Sequence, residues 1–228
     1  EKNKSPLCDD TGIPHLFLEV GPTKVIDGEL IGLIKQGVIE GLRTLPGRPM
    51  AIMGDDIQRI DQSGGLSDDP ASVLPSPIII KPIKEDVIRL HILMHGGGPE
   101  IRAKTFRVFH KHSMPVVTQE IIDWAVEGTT KLGCSPVTVA IGVGRSHFEA
   151  ASLLLEAMVF GKYDIQNDIE KEITRRVNES GVGPLGLGGR TTSLGTFIKI
   201  GPQRASGVRI VSMRPCCSME PRKASVLL

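Results

Sequence analysis

The run Val137-Thr138-Val139-Ala140-Ile141-Gly142-Val143 constrains the fold of this chain more than any other stretch. It is rich in β-branched residues and carries no charge, without the polar–apolar alternation of a half-exposed strand, so both of its faces must be covered. A strand of that kind implies an α/β protein in which helices pack on a sheet. The flanks agree. Ahead of it, Thr118 to Leu132 places Ile121, Ile122, Ala125, Val126 and Thr129 on one helical face, with Thr118 as the expected cap and Gly133 as the stop. Behind it, Ser146-His147-Phe148-Glu149 has the pattern of a capping box, opening a helix with Phe148, Ala151, Leu155 and Met158 inward.

The remaining elements follow from the same periodicities. Leu16 to Val20 reads as a short strand, and Asp27 to Thr44 as a helix with Leu30, Ile34, Val38 and Leu42 inward, stopping before Pro46. Ala51 to Pro77 is rich in Asp, Ser, Gly and Pro and reads as a long loop. Ile78 to Ile83 and Val87 to Met94 are strand-like runs around the polar Lys84-Glu85-Asp86, which predicts a hairpin. The cationic cluster from Arg102 to His112 reads as a solvated face. A helix is expected over Asp164 to Glu179, with Ile165, Ile169, Ile173 and Val177 aligned, and Thr196 to Ile200 and Val208 to Met213 are expected to pair antiparallel. The fold class is therefore α/β, mixed sheets flanked by helices, which one large domain or two lobes would accommodate.

Composition excludes some functions. Lys plus Arg number 27 against 26 for Asp plus Glu, so nothing points to nucleic acid or an acidic membrane surface. No apolar run approaches the roughly 20 residues of a membrane span, and Glu1-Lys2-Asn3-Lys4 is not followed by a signal-peptide apolar region, so a cytoplasmic protein is expected.

Asp10-Thr11-Gly12 carries the triplet of aspartic peptidases, yet that chemistry needs an apolar strand before the aspartate and a second such carboxylate. Here Pro6-Leu7-Cys8-Asp9 precedes it and no second Asp-Thr/Ser-Gly exists, which sets the peptidase class aside. The cysteines are Cys8, Cys134, Cys216 and Cys217. Cys8 and Cys134 each precede a strand and Cys217 follows one, and strand ends are where sites are built. From spacing alone they are either buried inert thiols or, if the fold gathers three of them, ligands for zinc or an iron–sulfur cluster. The glycines of His95-Gly96-Gly97-Gly98-Pro99 and of Gly181 to Thr192 free the backbone for close approach to a ligand. The second segment lacks the Lys-Ser/Thr ending of a nucleotide-binding loop. Gly144-Arg145 ahead of the capped helix is a candidate anion site.

Taken together these motifs resemble, in order and over almost the whole chain, the α subunit or N-terminal catalytic domain of the iron–sulfur class I fumarate hydratases and L(+)-tartrate dehydratases. Cys8-Asp9-Asp10-Thr11-Gly12 is similar to the family's Cys-x-Asp-Thr-Gly, Gly96-Gly97-Gly98 to its glycine triplet and Cys134-Ser135-Pro136 to its Cys-Pro-Pro. Gly181 to Gly189 resembles its glycine-rich segment, and Cys217 falls where the last cluster cysteine is expected. The resemblance implies that residues 1–228 form one hydro-lyase α domain in which Cys8, Cys134 and Cys217 ligate a 4Fe-4S cluster with one open iron. It implies a catalytic Asp10, substrate contacts from Arg43, Gly98 and Asp9, which stands where glutamine is often found, and a basic residue after the third cysteine that Arg222 matches. It also implies reversible hydration of a small dicarboxylate such as fumarate, or tartrate dehydration as the alternative. A β subunit, absent from this chain, would complete an α2β2 assembly. A non-catalytic cluster-binding subunit is the contrasting expectation.

Overall fold

A computed structural model describes residues 8, 10–45 and 47–228. They run through β1 (Ile13–Val20), α1 (Gly28–Thr44), α2 (Asp56–Asp61), β2 (Ile79–Pro82), β3 (Ile88–His95), α3 (Gly97–Glu100), β4 (Lys104–Phe109) and α4 (Met114–Thr130). The chain continues with β5 (Val137–Gly144), α5 (His147–Phe160), α6 (Asp168–Glu179), β6 (Ser193–Ile200), β7 (Val208–Cys216) and β8 (Arg222–Leu227). These residues divide into two compact units, one up to Gly97 together with Arg222–Leu228, the other Gly98–Pro221. No described helix is long and apolar enough to cross a membrane.

The first unit is built on a sheet of order β2-β1-β3-β8, with β1 and β2 parallel and the other pairs antiparallel. Asp27 caps α1 by accepting from Leu30 N at 2.8 Å, and the helix buries Ile34, Val38 and Leu42 against Leu16, Leu18, Ile88 and Leu90. The predicted hairpin of β2 and β3 does not form, because β1 lies between them. Ile83 N donates to Val20 O and Gly21 N to Val87 O, so Lys84-Glu85-Asp86 passes over the end of β1. Gly21 makes that passage possible, since a Cβ there would strike the backbone of Glu85 and Asp86. The expected loop from Ala51 to Pro77 contains α2, capped by a reciprocal Asp55–Gln58 box, and a short 3-10 turn at Pro70–Val73.

The second unit holds β5, the continuously apolar strand Val137–Gly144. Its sheet has the order β4-β7-β5-β6, and every residue of β5 is buried. Val137, Val139, Ile141 and Val143 face a core shared with Ile121, Ile122 and Ala125 of α4 and Ile173 and Val177 of α6. The alternate residues Thr138, Ala140, Gly142 and Gly144 are small, and Gly142 and Gly144 meet the backbone of α5 at Ala150 and Leu154. That close approach corrects the expected inner face of α5. Ala150, Leu154, Ala157 and Met158 are buried, whereas Phe148 is 80% exposed. The phase is set by how near the helix backbone comes to glycine, not by its largest apolar side chains.

Other expectations shift in the same unit. β6 and β7 are not partners, because β5 separates them, pairing parallel with β6 and antiparallel with β7. Helix α4 starts at Met114 after Ser113, with Pro115 in its first turn, and Thr118 sits inside it with its hydroxyl donating to Met114 O. Helix α6 starts after the capping box of Asn167 and Glu170, leaving Ile165 outside and 68% exposed. The cationic cluster contains β4, an edge strand paired only to β7, most of whose residues are exposed.

The α5 contact yields a stability prediction. Gly142→Ala places a Cβ against Ala150 O and Leu154 N, backbone that cannot yield, and is expected to cost about 3 kcal/mol in denaturant unfolding. Gly37→Ala, on the exposed side of α1 with nothing near its Cβ, is expected to gain about 1 kcal/mol. Equal effects of the two would show that the α5 approach is looser than described.

Candidate active site

In the first unit the site begins where β1 and β3 end side by side, with Ile13 opposite His95. The two loops leaving that pair carry Asp10 and the glycine triplet. Asp10 Oδ2 accepts from Gly97 N at 2.8 Å, while Oδ1 is buried and has no hydrogen-bond partner among the described residues. A carboxylate oxygen out of water and without a donor is costly unless a ligand or proton completes it. The main chain of Asp10 is anchored too, since Arg222 Nη1 donates to its carbonyl at 2.7 Å. Gly12, at φ 81°, lets the loop turn there.

Arg43 lies in the last turn of α1, half-exposed. It donates to both carboxylate oxygens of Asp69, at 3.3 Å from Nε and 3.0 Å from Nη2, and this hydrogen bonding holds the Asp69 carboxyl below its ordinary range. The guanidinium is thus already set in the two-pronged geometry that recognises a carboxylate. Cys8 is partly buried, and Asp9 lies outside the described residues.

Cys134, Cys217 and Gly98 lie in the second unit. Cys134 follows Gly133, where the chain turns out of α4 at φ 76°, and is exposed. Cys217 directly follows β7 and is partly buried. Ser218 N donates to Cys134 O at 2.9 Å, so the two cysteine-bearing loops adjoin. The glycine-rich segment is fastened to the same place: Ser135 Oγ donates to Gly183 O at 2.6 Å and accepts from Gly186 N at 3.2 Å. Gly183, at φ 69°, has no room for a Cβ against Gly188. At Gly98 a Cβ would meet only Leu132 Cδ1 at 3.6 Å, so packing within the unit does not require glycine there.

Cys216 differs from its neighbour. Its thiol is fully buried between Arg214 and Met158, and burial pushes it up to about 12 even though Arg214 pulls the other way. A thiol of that kind is protonated and shielded, as a core cysteine is. Arg145, the candidate anion ligand, is occupied as well, donating to both carboxylate oxygens of Glu149.

Cys8, Cys134 and Cys217 therefore have the chemistry a cluster asks for: thiols in no disulfide, outside the packed cores, at loops rather than within strands. Among the described residues no three His, Cys, Asp or Glu side chains are grouped as ligands for a single metal ion. The donor chemistry of these three residues fits such a group.

The fold is a mixed α/β arrangement of two sheets flanked by helices, with a tethered carboxylate in one unit and cysteine-bearing loops in the other. The chain belongs to the fumarate hydratase (Fumerase) family, which it matches over residues 1–226, a family of hydro-lyases. A Methanocaldococcus jannaschii protein provisionally named L(+)-tartrate dehydratase subunit alpha is 26% identical over 211 residues, covering 88% of this chain and 70% of that protein. The Escherichia coli K12 protein named L(+)-tartrate dehydratase subunit alpha is 24% identical over 223 residues, covering 92% of this chain and 69% of its own length.

Proposed function

We propose that this chain is the α half of a cytoplasmic iron–sulfur hydro-lyase that reversibly adds water across the double bond of a C4 dicarboxylate, fumarate to malate. The observation that carries this reading is the Asp10 carboxylate, tethered through Oδ2 and open at a buried Oδ1. Residues 1–228 are read as one α domain, and since the relatives are named alpha subunits, a β subunit in an α2β2 assembly is the partner inferred.

Cys8, Cys134 and Cys217 would hold a 4Fe-4S cluster, which when bound supplies a Lewis-acidic iron that has no protein thiolate of its own. Asp10 Oδ1 takes the proton from the adding water or returns it in the reverse direction. Arg43 releases Asp69 and receives a substrate carboxylate in the same two-pronged arrangement, an exchange of one carboxylate for another. Gly98 admits the substrate close to the backbone, and Asp9 is read as a further substrate contact. L(+)-tartrate dehydration is the second reading, favoured by the names of the relatives, and the same Asp10 and Arg43 roles would serve it.

The test is anaerobic reconstitution with the partner subunit, followed by iron and sulfide quantitation and parallel assays on fumarate, malate and L(+)-tartrate. Cys217→Ser is expected to lose the cluster and Cys216→Ser to retain it. The reverse pattern would overturn the ligand assignment, and a fully loaded assembly that turns over none of these substrates would make it a non-catalytic cluster-binding subunit.

A further inference from the structure

We infer that Arg222 is a positioning residue for Asp10, a step that rests on the acid–base reading of that carboxylate. Arg222 opens β8, at the end of the chain remote from Asp10, and β8 pairs with β3 with Arg222 opposite Met94. From that fixed strand its Nη1 donates to the main-chain carbonyl of Asp10 at 2.7 Å. Asp10 lies in irregular chain before β1, where no ladder bond fixes its position. The glycine triplet holds the carboxylate through Gly97 N, and Arg222 holds the backbone, so the residue is secured at both ends.

The guanidinium also lies close to this loop. A Cβ on Gly12 would lie 2.8 Å from Arg222 Nη2 and 2.9 Å from His95 O, so the loop and the guanidinium are shaped to each other. Arg222 Nε is buried and meets no acceptor among the described residues, and Asp10 Oδ1 likewise meets no donor. Buried polar groups with a purely structural role are normally satisfied. Lysine cannot replace this arrangement, because it presents a point charge rather than a planar fork of donors.

Two measurements on Arg222→Met and Arg222→Lys test the inference. In the reconstituted holoenzyme, loss of positioning is expected to lower kcat by roughly a hundredfold for methionine, with only partial recovery for lysine and KM nearly unchanged. Wild-type kcat in both variants, or a raised KM with kcat retained, would overturn it. Hydrogen exchange on the full chain gives an activity-independent readout. The peptide spanning Asp10 to Gly12 is expected to exchange faster in both variants while the β1 amides keep their protection, and unchanged exchange at Asp10 would overturn the inference. A wild-type assembly without hydro-lyase activity but with this exchange pattern would instead locate the failure in the acid–base reading of Asp10.

Discussion

Asp10→Asn is expected to lower turnover of the reconstituted enzyme by about 10²–10⁴-fold, the range associated with removing one positioned acid–base group. Asparagine has the shape of aspartate, and its carbonyl oxygen can accept from Gly97 N as Oδ2 does. The Arg222 bond goes to the main-chain carbonyl and does not depend on the side chain. The fold and the thiol loops should therefore be untouched, and unfolding midpoint and iron content should match the wild type. What changes is the other arm, where an amide takes the place of the open Oδ1 and cannot take a proton at neutral pH. Since the interaction is made with the proton in flight, kcat and kcat/KM should fall together. Turnover within a few-fold of wild type, at equal iron loading, would remove Asp10 from the chemistry.

The individual elements were largely legible in the sequence, and their pairing was not. The uninterrupted β5 run announced a strand covered on both faces, and Asp27 to Thr44 announced α1 with its three buried residues. Both expected pairings of neighbours in sequence failed for one physical reason. A strand remote in sequence, β1 in one sheet and β5 in the other, inserts between them, and local periodicity does not report on that. The phase of α5 differs from the expected face of Phe148, Ala151, Leu155 and Met158, of which Met158 is buried, because the glycines of β5 admit helix backbone at Ala150. Strand β8 was missed because Arg222 to Leu227 is exposed apart from its first residue and so has no buried face to show.

The site was legible as motifs and silent as geometry. Cys8, Asp10, the glycine triplet, Cys134 and Cys217 were all marked by sequence pattern. Cys216 and Cys217 differ in burial, which no sequence pattern shows, because β7 carries Cys216 into the core and ends there. Arg222 was visible as a basic residue after the last cysteine, but nothing local to it could show that its partner is Asp10 at the other end of the chain. The long-range polar contacts of this site have no periodic signature, and they are what the fold adds to the motif.

The largest stability effect is expected from Arg214, whose side chain is 1% exposed. It stands on β7 with Nη1 and Nη2 donating to the two carboxylate oxygens of Glu220 at 2.5 and 3.1 Å, and Nε donating to Glu100 at 2.9 Å. Burial pulls the guanidinium down, but the Cys216 sulfur and the two carboxylates outweigh it and hold it above its ordinary value. Because the Cys216 thiol is itself neutral at pH 7, the carboxylates supply the working attraction. Glu220 has 0% side-chain exposure, so Arg214→Met would leave a dry carboxylate stripped of its guanidinium, a loss of about 3–5 kcal/mol by the usual cost of breaking a buried pair. Arg214→Met combined with Glu220→Leu removes both charges and should recover most of that loss, since the Glu100 that remains is 45% exposed and can be solvated. The pair also braces the turn that carries Cys217, where Glu220 N donates to Cys217 O at 2.9 Å. Denaturant unfolding of the cluster-free chain isolates the ionic effect from any effect on metal binding. A single variant that loses less than about 1 kcal/mol, or a double variant no more stable than the single, would show that Glu220 finds water and that the charge is not confined by the fold.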